Sequence, residues 1–438
     1  MPDDRPNVVW ISFEDTSPRF GCFGDVLART PNVDRVAREG RVYPNTFTTA
    51  PVCAPARSAV ITGMYATAIG AHHMRTTHAN PHTPELPTPY ECVPPAYVKL
   101  LPELLRAEGY YCTNNAKTDY QFASPSSAWD ECSHEAHWRN RPRSEQPFFA
   151  VFNLDGTHES GMWDERWRGR VPETDPEAVT VPPYLPDTPV VRECIARVYD
   201  NVSARDADAG DLLHQLEEDG LARDTIVFIW SDHGEGLPRH KRWPYDSGLR
   251  VPMVVRWPDR VEAGTRDERL VSTIDLAPTV LSMAGIAPPQ HLQGLPFDGP
   301  SAQRRAHVFA TRDRYDESYD LVRVVRDERY LYMQHGLPGT PNTLWIPYRD
   351  RHPVMQEIWR LAAEERLEGA PRWFTGRRPG EELYDCVADP HQVHNLADDP
   401  SHADTLARLR DVLEGWQRAH DPYRDVDEAE MVRRWWPD

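Results

Sequence analysis

No two cysteines in this sequence are separated by two residues, which excludes zinc-ribbon and thioredoxin-type sites. The seven that exist, Cys22, Cys53, Cys92, Cys112, Cys132, Cys194 and Cys386, are odd in number and irregularly spaced, as suits free thiols in a reducing compartment. Long apolar runs are also missing. Nothing approaches the length of a membrane span, and no apolar stretch with a small-residue cleavage site precedes the first strand. The expectation is a soluble cytoplasmic protein with no membrane partner. An excess of basic residues is lacking too: Asp and Glu number 68 against 49 Lys and Arg, for a net charge of -19. That argues against nucleic acid as a partner, while leaving room for a locally basic pocket that takes a small anion. There are no internal repeats and no low-complexity tract.

What is present is proline, 42 in all, together with 14 Trp and 17 Tyr. This composition suits fixed loops and aromatic faces for core or sugar packing. Continuous apolar runs at Asn7–Phe13, 147–154 and Thr225–Ser231 read as buried parallel strands. They alternate with helical patterns over 30–40, 57–65, 96–108 and 190–219. A return strand is read over 42–49, a strand over 253–257 and a helix over 271–285. Short runs of β character follow at 308–311, 320–326 and 329–334, then helices at 358–366 and 403–419. The fold class is α/β, a large mostly parallel sheet sandwiched by helices, with a smaller C-terminal α+β domain carrying a short antiparallel sheet. The boundary falls between residues 1–303 and 304–438.

Charged residues stand at the ends of the buried strands: Glu14-Asp15, Lys117, His158 and Asp232-His233. Strand ends on one edge of a parallel sheet share a crevice where ligands bind. Carboxylates with an imidazole make an oxygen-rich cation site, and lysines nearby would hold an anion. The stretch Cys53-Ala54-Pro55-Ala56-Arg57 sets a thiol near a fixed cation in a stiff turn. Taken locally it fits either a nucleophile or a buried structural cysteine.

With its partners in order, this stretch resembles the Cys-x-Pro-x-Arg signature of the formylglycine-dependent sulfatases, members of the alkaline phosphatase superfamily. Thr62-Gly63, Ser231-Asp232-His233-Gly234, Lys241 and Arg250-Val251-Pro252 also resemble the family's pattern. So do Glu382-Leu383-Tyr384-Asp385, Asp389-Pro390 and Asn395-Leu396, and the stretch from Val181 to Pro189 is most similar to the heparan N-sulfatase (sulfamidase) branch. The resemblance implies oxidation of Cys53 to formylglycine by a formylglycine-generating enzyme. It also implies a divalent metal, calcium by family habit, held by Glu14, Asp15, Cys53, Asp232 and His233. Arg57, Lys117 and Lys241 would grip sulfate, and His158 would serve the leaving group. A formylglycine hydrate would attack sulfur with one hydroxyl and release sulfate with the other.

Glu14 and His233 stand where Asp and Asn are more usual, which opens the site to manganese or another divalent ion. The family's Lys-x-His reads Lys117-Thr118-Asp119, so His73 or His240 is a candidate substitute at the substrate. Arg314, in the run Arg312-Asp313-Arg314, is a further substrate candidate, with a salt-bridged hairpin as the competing reading. The implied substrate is a sulfate ester or sulfamate on a saccharide. The rivals are a phosphonate monoester or phosphodiester hydrolase, and a non-catalytic binder with unmodified Cys53. Homo-oligomerisation is left open.

Overall fold

A computed structural model describes residues 5–437. Nine strands and seven helices carry the architecture. The strands are β1 (Asn7–Phe13), β2 (Tyr111–Asn115), β3 (Phe148–Leu154), β4 (Thr225–Ser231), β5 (Met253–Arg256), β6 (Val308–Arg312), β7 (Val322–Arg326), β8 (Tyr330–His335) and β9 (Glu381–Asp385). The helices are α1 (Pro31–Glu39), α2 (Cys53–Thr62), α3 (Pro189–Glu218), α4 (Leu276–Met283), α5 (Pro353–Ala363), α6 (Ala403–His420) and α7 (Glu428–Trp435).

In the eight-stranded sheet, β5, β4, β1, β3 and β2 lie side by side in that order, with two-residue strands extending both edges. β1 pairs in parallel with β3 and β4, and β3 with β2. All seven residues of β1 are buried, as a central parallel strand requires, since helices cover both its faces. Val9, Ile11 and Phe13 face α1, α3 and α5, while Val8 and Trp10 face α2 and α4. The long helix α3 opens with Thr188, whose side chain accepts from Val191 N–H, and with Pro189 in its first turn. Its apolar stripe, from Val191 through Ile195, Val198 and Val202 to Leu216, closes one face of the sheet. Among the described residues no helix is long and apolar enough to cross a membrane.

The smaller sheet is antiparallel, in the order β6, β7, β8, β9. Leu409, Leu413 and Trp416 of α6 pack on one of its faces, against Val325, Tyr332 and Leu383. The other face meets Trp243, Tyr245 and Leu249, so it braces the segment that follows β4.

The α/β class and the small antiparallel sheet therefore stand as read from sequence. Several local readings are corrected. Residues 42–49 are two separate strands, Arg41–Val42 and Thr46–Phe47, in different sheets, parted by Pro44-Asn45. The helix read over 96–108 forms only at Leu101–Ala107, where Glu103 accepts from Leu100 N–H and fixes the start. Val271–Ser272 is a strand paired with Thr46–Phe47, and α4 follows only after the Asp275 carboxylate has capped Ser272 N–H. The helix after the cysteine begins at Cys53 itself, four residues earlier than its apolar pattern suggests.

Candidate active site

The carboxyl ends of β1, β2, β3 and β4 lie along one edge, and α2 arrives over them. β1 runs out into Glu14 and Asp15, and β4 into Asp232 and His233, all four buried. Asp15 sits in the left-handed region (φ 46), a costly backbone for a non-glycine residue that turns its carboxylate back over the sheet. Cys53 and Arg57 share one face of α2, being four residues apart. Lys117 comes from the end of β2, His158 and Glu159 from beyond β3, and Lys241 from the loop after β4.

Cys53 Sγ lies 3.2 Å from His233 Nε2, 3.6 Å from Glu14 Oε1 and 3.9 Å from Asp15 Oδ1. His233 Nδ1 is 2.9 Å from the Gly234 carbonyl, which can only accept. Nδ1 therefore carries a proton, and Nε2 is the ring nitrogen turned toward Cys53 and Asp15. The ligand atoms of Asp15, Cys53, Asp232 and His233 lie within 4.8 Å of one another, as do those of Glu14, Asp15, Cys53 and His158. Carboxylates and an imidazole nitrogen thus converge on Cys53 in a buried space. Such a donor set fits a divalent cation, predominantly oxygen-ligated.

Cations ring the cluster. Arg57 donates from Nε to Asp232 (3.0 Å) and from Nη1 to Asn153 (2.8 Å). Lys241 bridges Asp15 (2.8 Å) and Glu159 (3.3 Å), and Lys117 pairs with Glu14. Arg242 clamps Glu159 with two bonds of 2.8 Å. The Glu159 N–H donates to Asp15 Oδ2 at 2.7 Å. Burial opposes the ionised forms of these groups, but their counter-charges prevail. His233 and Arg57 hold Asp232 well below the usual carboxylate range, and Asp15 holds Lys241 well above the usual lysine range. Arg57, Lys117, Lys241, Arg242 and Arg75 balance Glu14, Asp15, Asp232, Glu159 and Asp316. A divalent ion added to that neutral ring makes the pocket attractive to an anion.

Burial pushes the Cys53 thiol far up, although Lys241 and Lys117 pull the other way. The thiol is therefore protonated at neutral pH and is not a thiolate nucleophile as it stands. Burial, then Lys241, draw His158 down to about 3. Its Nδ1 accepts from Ser160 N–H (3.3 Å), which leaves Nε2–H as the free donor.

The three substrate candidates are placed differently. His240 Nε2 meets the Tyr184 hydroxyl at 2.8 Å and Nδ1 faces Glu235 at 3.2 Å. His73 Nδ1 accepts from Arg314 N–H at 3.3 Å, and its ring lies against His72. Arg314 is fully buried and clamped by Glu428 of α7 (2.6 Å). The polar contacts of all three side chains lie inside the fold. Arg312 and Asp313 are likewise paired, with Asp320 (2.7 Å) and Arg323 (2.9 Å), so the run is a salt-bridged hairpin. Trp435 seats over Gly70, where a Cβ would stand 2.4 Å from its ring.

Three residues of the site escaped the sequence reading. Asn153 accepts from Arg57 and from Ser12 Oγ (2.9 Å) and was legible only as a polar interruption of an apolar strand. Glu159 and Arg242 each adjoin a residue that was singled out, but their pairing joins loops 83 positions apart.

Residues 6–130 and 134–286 match the family model described as Sulfatase. This chain belongs to the sulfatase family. The expected resemblance and the enzyme class, a sulfuric ester hydrolase, are thereby borne out. The sulfatase is 42% identical to an ulvan-active sulfatase of Formosa agariphila, over 99% of this chain and 78% of that one. It is 27% identical to the N-sulphoglucosamine sulphohydrolase of Homo sapiens, over 96% and 91%. Among solved structures, the phosphonate monoester hydrolase of Agrobacterium radiobacter superposes with a TM-score of 0.67 over 95% of this chain and 96% of that chain, at 16% identity. That likeness speaks to the fold alone.

Proposed function

We propose that this sulfatase hydrolyses a sulfate ester on a carbohydrate, with Cys53 matured to formylglycine and a divalent cation held by Glu14, Asp15, Asp232 and His233. The observation that carries the reading is a buried, protonated thiol pointed into a cluster of converging acceptors. A thiol so placed is a poor nucleophile and a well-placed precursor. The saccharide comes from the relatives, one of which is named as acting on ulvan.

The oxygen-rich set favours calcium, and the imidazole admits manganese. A bound divalent ion would neutralise developing charge and acidify a hydroxyl, and the formylglycine hydrate would supply that hydroxyl together with a second one to release sulfate. The protein's own side chains do the rest. Arg57 pins the residue at position 53 against Asp232. Lys117 and Lys241, each already paired with a carboxylate, present N–H donors to the sulfate oxygens and stabilise charge as it builds there. His158, neutral in the free site, offers Nε2–H to the bridging oxygen. A bound sulfate supplies the counter-charge that raises its basicity.

The phosphonate monoester reading has one specific support, the shared fold. Parallel assays on sulfated oligosaccharides and on phenylphosphonate esters separate the two; turnover of the phosphonate alone would overturn the proposal. The tryptic peptide carrying Cys53, from an active preparation, is expected at the mass of the aldehyde. An intact thiol in that preparation removes the formylglycine step.

A further inference from the structure

Most cations around the site are sealed. The side chains of Arg57, Lys241 and Arg242 are 5%, 2% and 1% exposed, whereas Arg75 is 39% exposed. Met74, just before it, packs with Cys53 and Ala54 in one small apolar cluster, and Tyr348 closes that cluster from the other side. Arg75 thus follows directly on a residue packed against the reacting position, and its own side chain reaches solvent. Its backbone is left-handed (φ 56), so its side chain leaves the chain in a direction that a helix or strand would not give. Arg75 Nε lies 2.6 Å from Asp316 Oδ1, and its guanidinium carbon lies 5.3 Å from the centre of the Tyr348 ring.

The ring continues a strip. Tyr348 lies 6.5 Å from the His158 ring and 4.8 Å from the Trp163 ring, and a second exposed guanidinium, Arg351, lies 4.1 Å above Trp163. Two accessible guanidinium groups therefore stand over aromatic rings in a chain whose net charge is -19; Arg351 covers the buried Trp163 and pairs with Glu165 at 3.3 Å, whereas Tyr348 is half-buried beside Arg75. A half-buried aromatic ring suits the apolar face of a sugar ring. A guanidinium fixed by one carboxylate still has N–H donors free for a planar or tetrahedral anion.

We propose that Arg75, on its Tyr348 platform, is a subsite for a second anionic group of the substrate, carried by the sugar linked on the leaving-group side of the scissile sulfate. The sulfatase then selects polyanionic oligosaccharides over singly charged ones. The inference rests on the sulfatase reading above and adds to it a class of substrate. The second anion is a carboxylate or a sulfate, which share this chemistry.

Three disaccharides test it: one bearing the scissile sulfate beside a neutral sugar, one beside a uronate, one beside a second sulfate. The wild-type protein is expected to favour one or both charged neighbours in kcat/KM by roughly 10- to 100-fold, the value of one charge-assisted pair. Arg75→Ala removes that preference through KM, lowering kcat/KM on the charged disaccharides by at least about 10-fold more than on the neutral one; Arg75→Lys keeps part of it. The charged neighbour whose advantage disappears identifies the anion. Equal loss on all three disaccharides would mean that Arg75 only braces Asp316 and Arg242, and would overturn the subsite, as would no change on any. Calorimetric titration of the Cys53→Ala protein with the same sugars reads the subsite without turnover. A preference that depends on Arg75 in binding, with no sulfate released by the wild type, would sink the activity and keep the subsite.

Discussion

In the proposed mechanism His158 serves the leaving oxygen. It is half-buried, neutral in the free site and offers a single N–H. His158→Ala is expected to lower kcat about 100- to 10,000-fold on a sugar sulfate, whose alkoxide leaves poorly, and by far less on a nitrophenyl sulfate, whose phenolate needs no proton. Steady-state rates on the two substrates check this; equal losses would assign His158 to positioning. At this scale the site was legible wherever chemistry is local in the chain. Cys53 and Arg57 share a helix turn, and Glu14, Asp15, Asp232 and His233 sit where strands end. Asn153, Glu159 and Arg242 were not legible, because what they do depends on contacts between loops far apart in sequence. His240 misleads for the opposite reason: it adjoins Lys241, yet its ring turns to Tyr184 and Glu235.

At the scale of the element, the loop from β4 to β5 positions two of the site's cations. It is held by close backbone approach. A Cβ on Gly248 would stand 2.1 Å from the Trp243 carbonyl and 2.3 Å from that of His240. A Cβ on Gly234 would meet the Ser247 carbonyl at 2.2 Å. Backbone atoms cannot swing aside as a long side chain does. Gly248→Ala is therefore expected to cost about 2–4 kcal/mol of stability and to reduce turnover even where the variant is folded, because Lys241 and Arg242 shift with the loop. Thermal denaturation together with kcat below the transition measures both effects. The long strands and α3 were legible here because burial writes continuous or periodic apolar patterns. The two-residue strands and the start of α2 were not, since Pro44, Pro55 and single capping side chains settle them.

At the scale of the molecule, pH tests the fold. His72, His240 and His352 are each drawn down to about 4, chiefly by burial, from 6.5. Between those values the unfolded chain binds protons that the folded chain refuses, so stability rises with pH there. The contribution is complete above pH 6.5 and is lost as pH falls toward 4, at up to about 1.4 kcal/mol per unit for each histidine. Calorimetry is expected to show the melting temperature falling steeply from pH 6.5 to 4.5. His352→Asn, which keeps an acceptor for the Val354 N–H, should flatten that slope by up to about 1.4 kcal/mol per pH unit; an unchanged slope would relieve His352 of this role.

The burial of Cys53, 2% exposed between β1, β4 and α2, has a consequence in time. In the finished fold its sulfur is out of reach of another protein. The strand that closes over it, β4, begins 172 residues after Cys53. If Cys53 is matured as proposed, the maturing enzyme has a window set by synthesis and folding, and would have to meet the stretch from Cys53 to Arg57 while it is still extended. Chains that fold first keep the thiol permanently. The active fraction of a preparation is thus a record of a race, and slower translation or a slower-folding variant should raise it without touching the site.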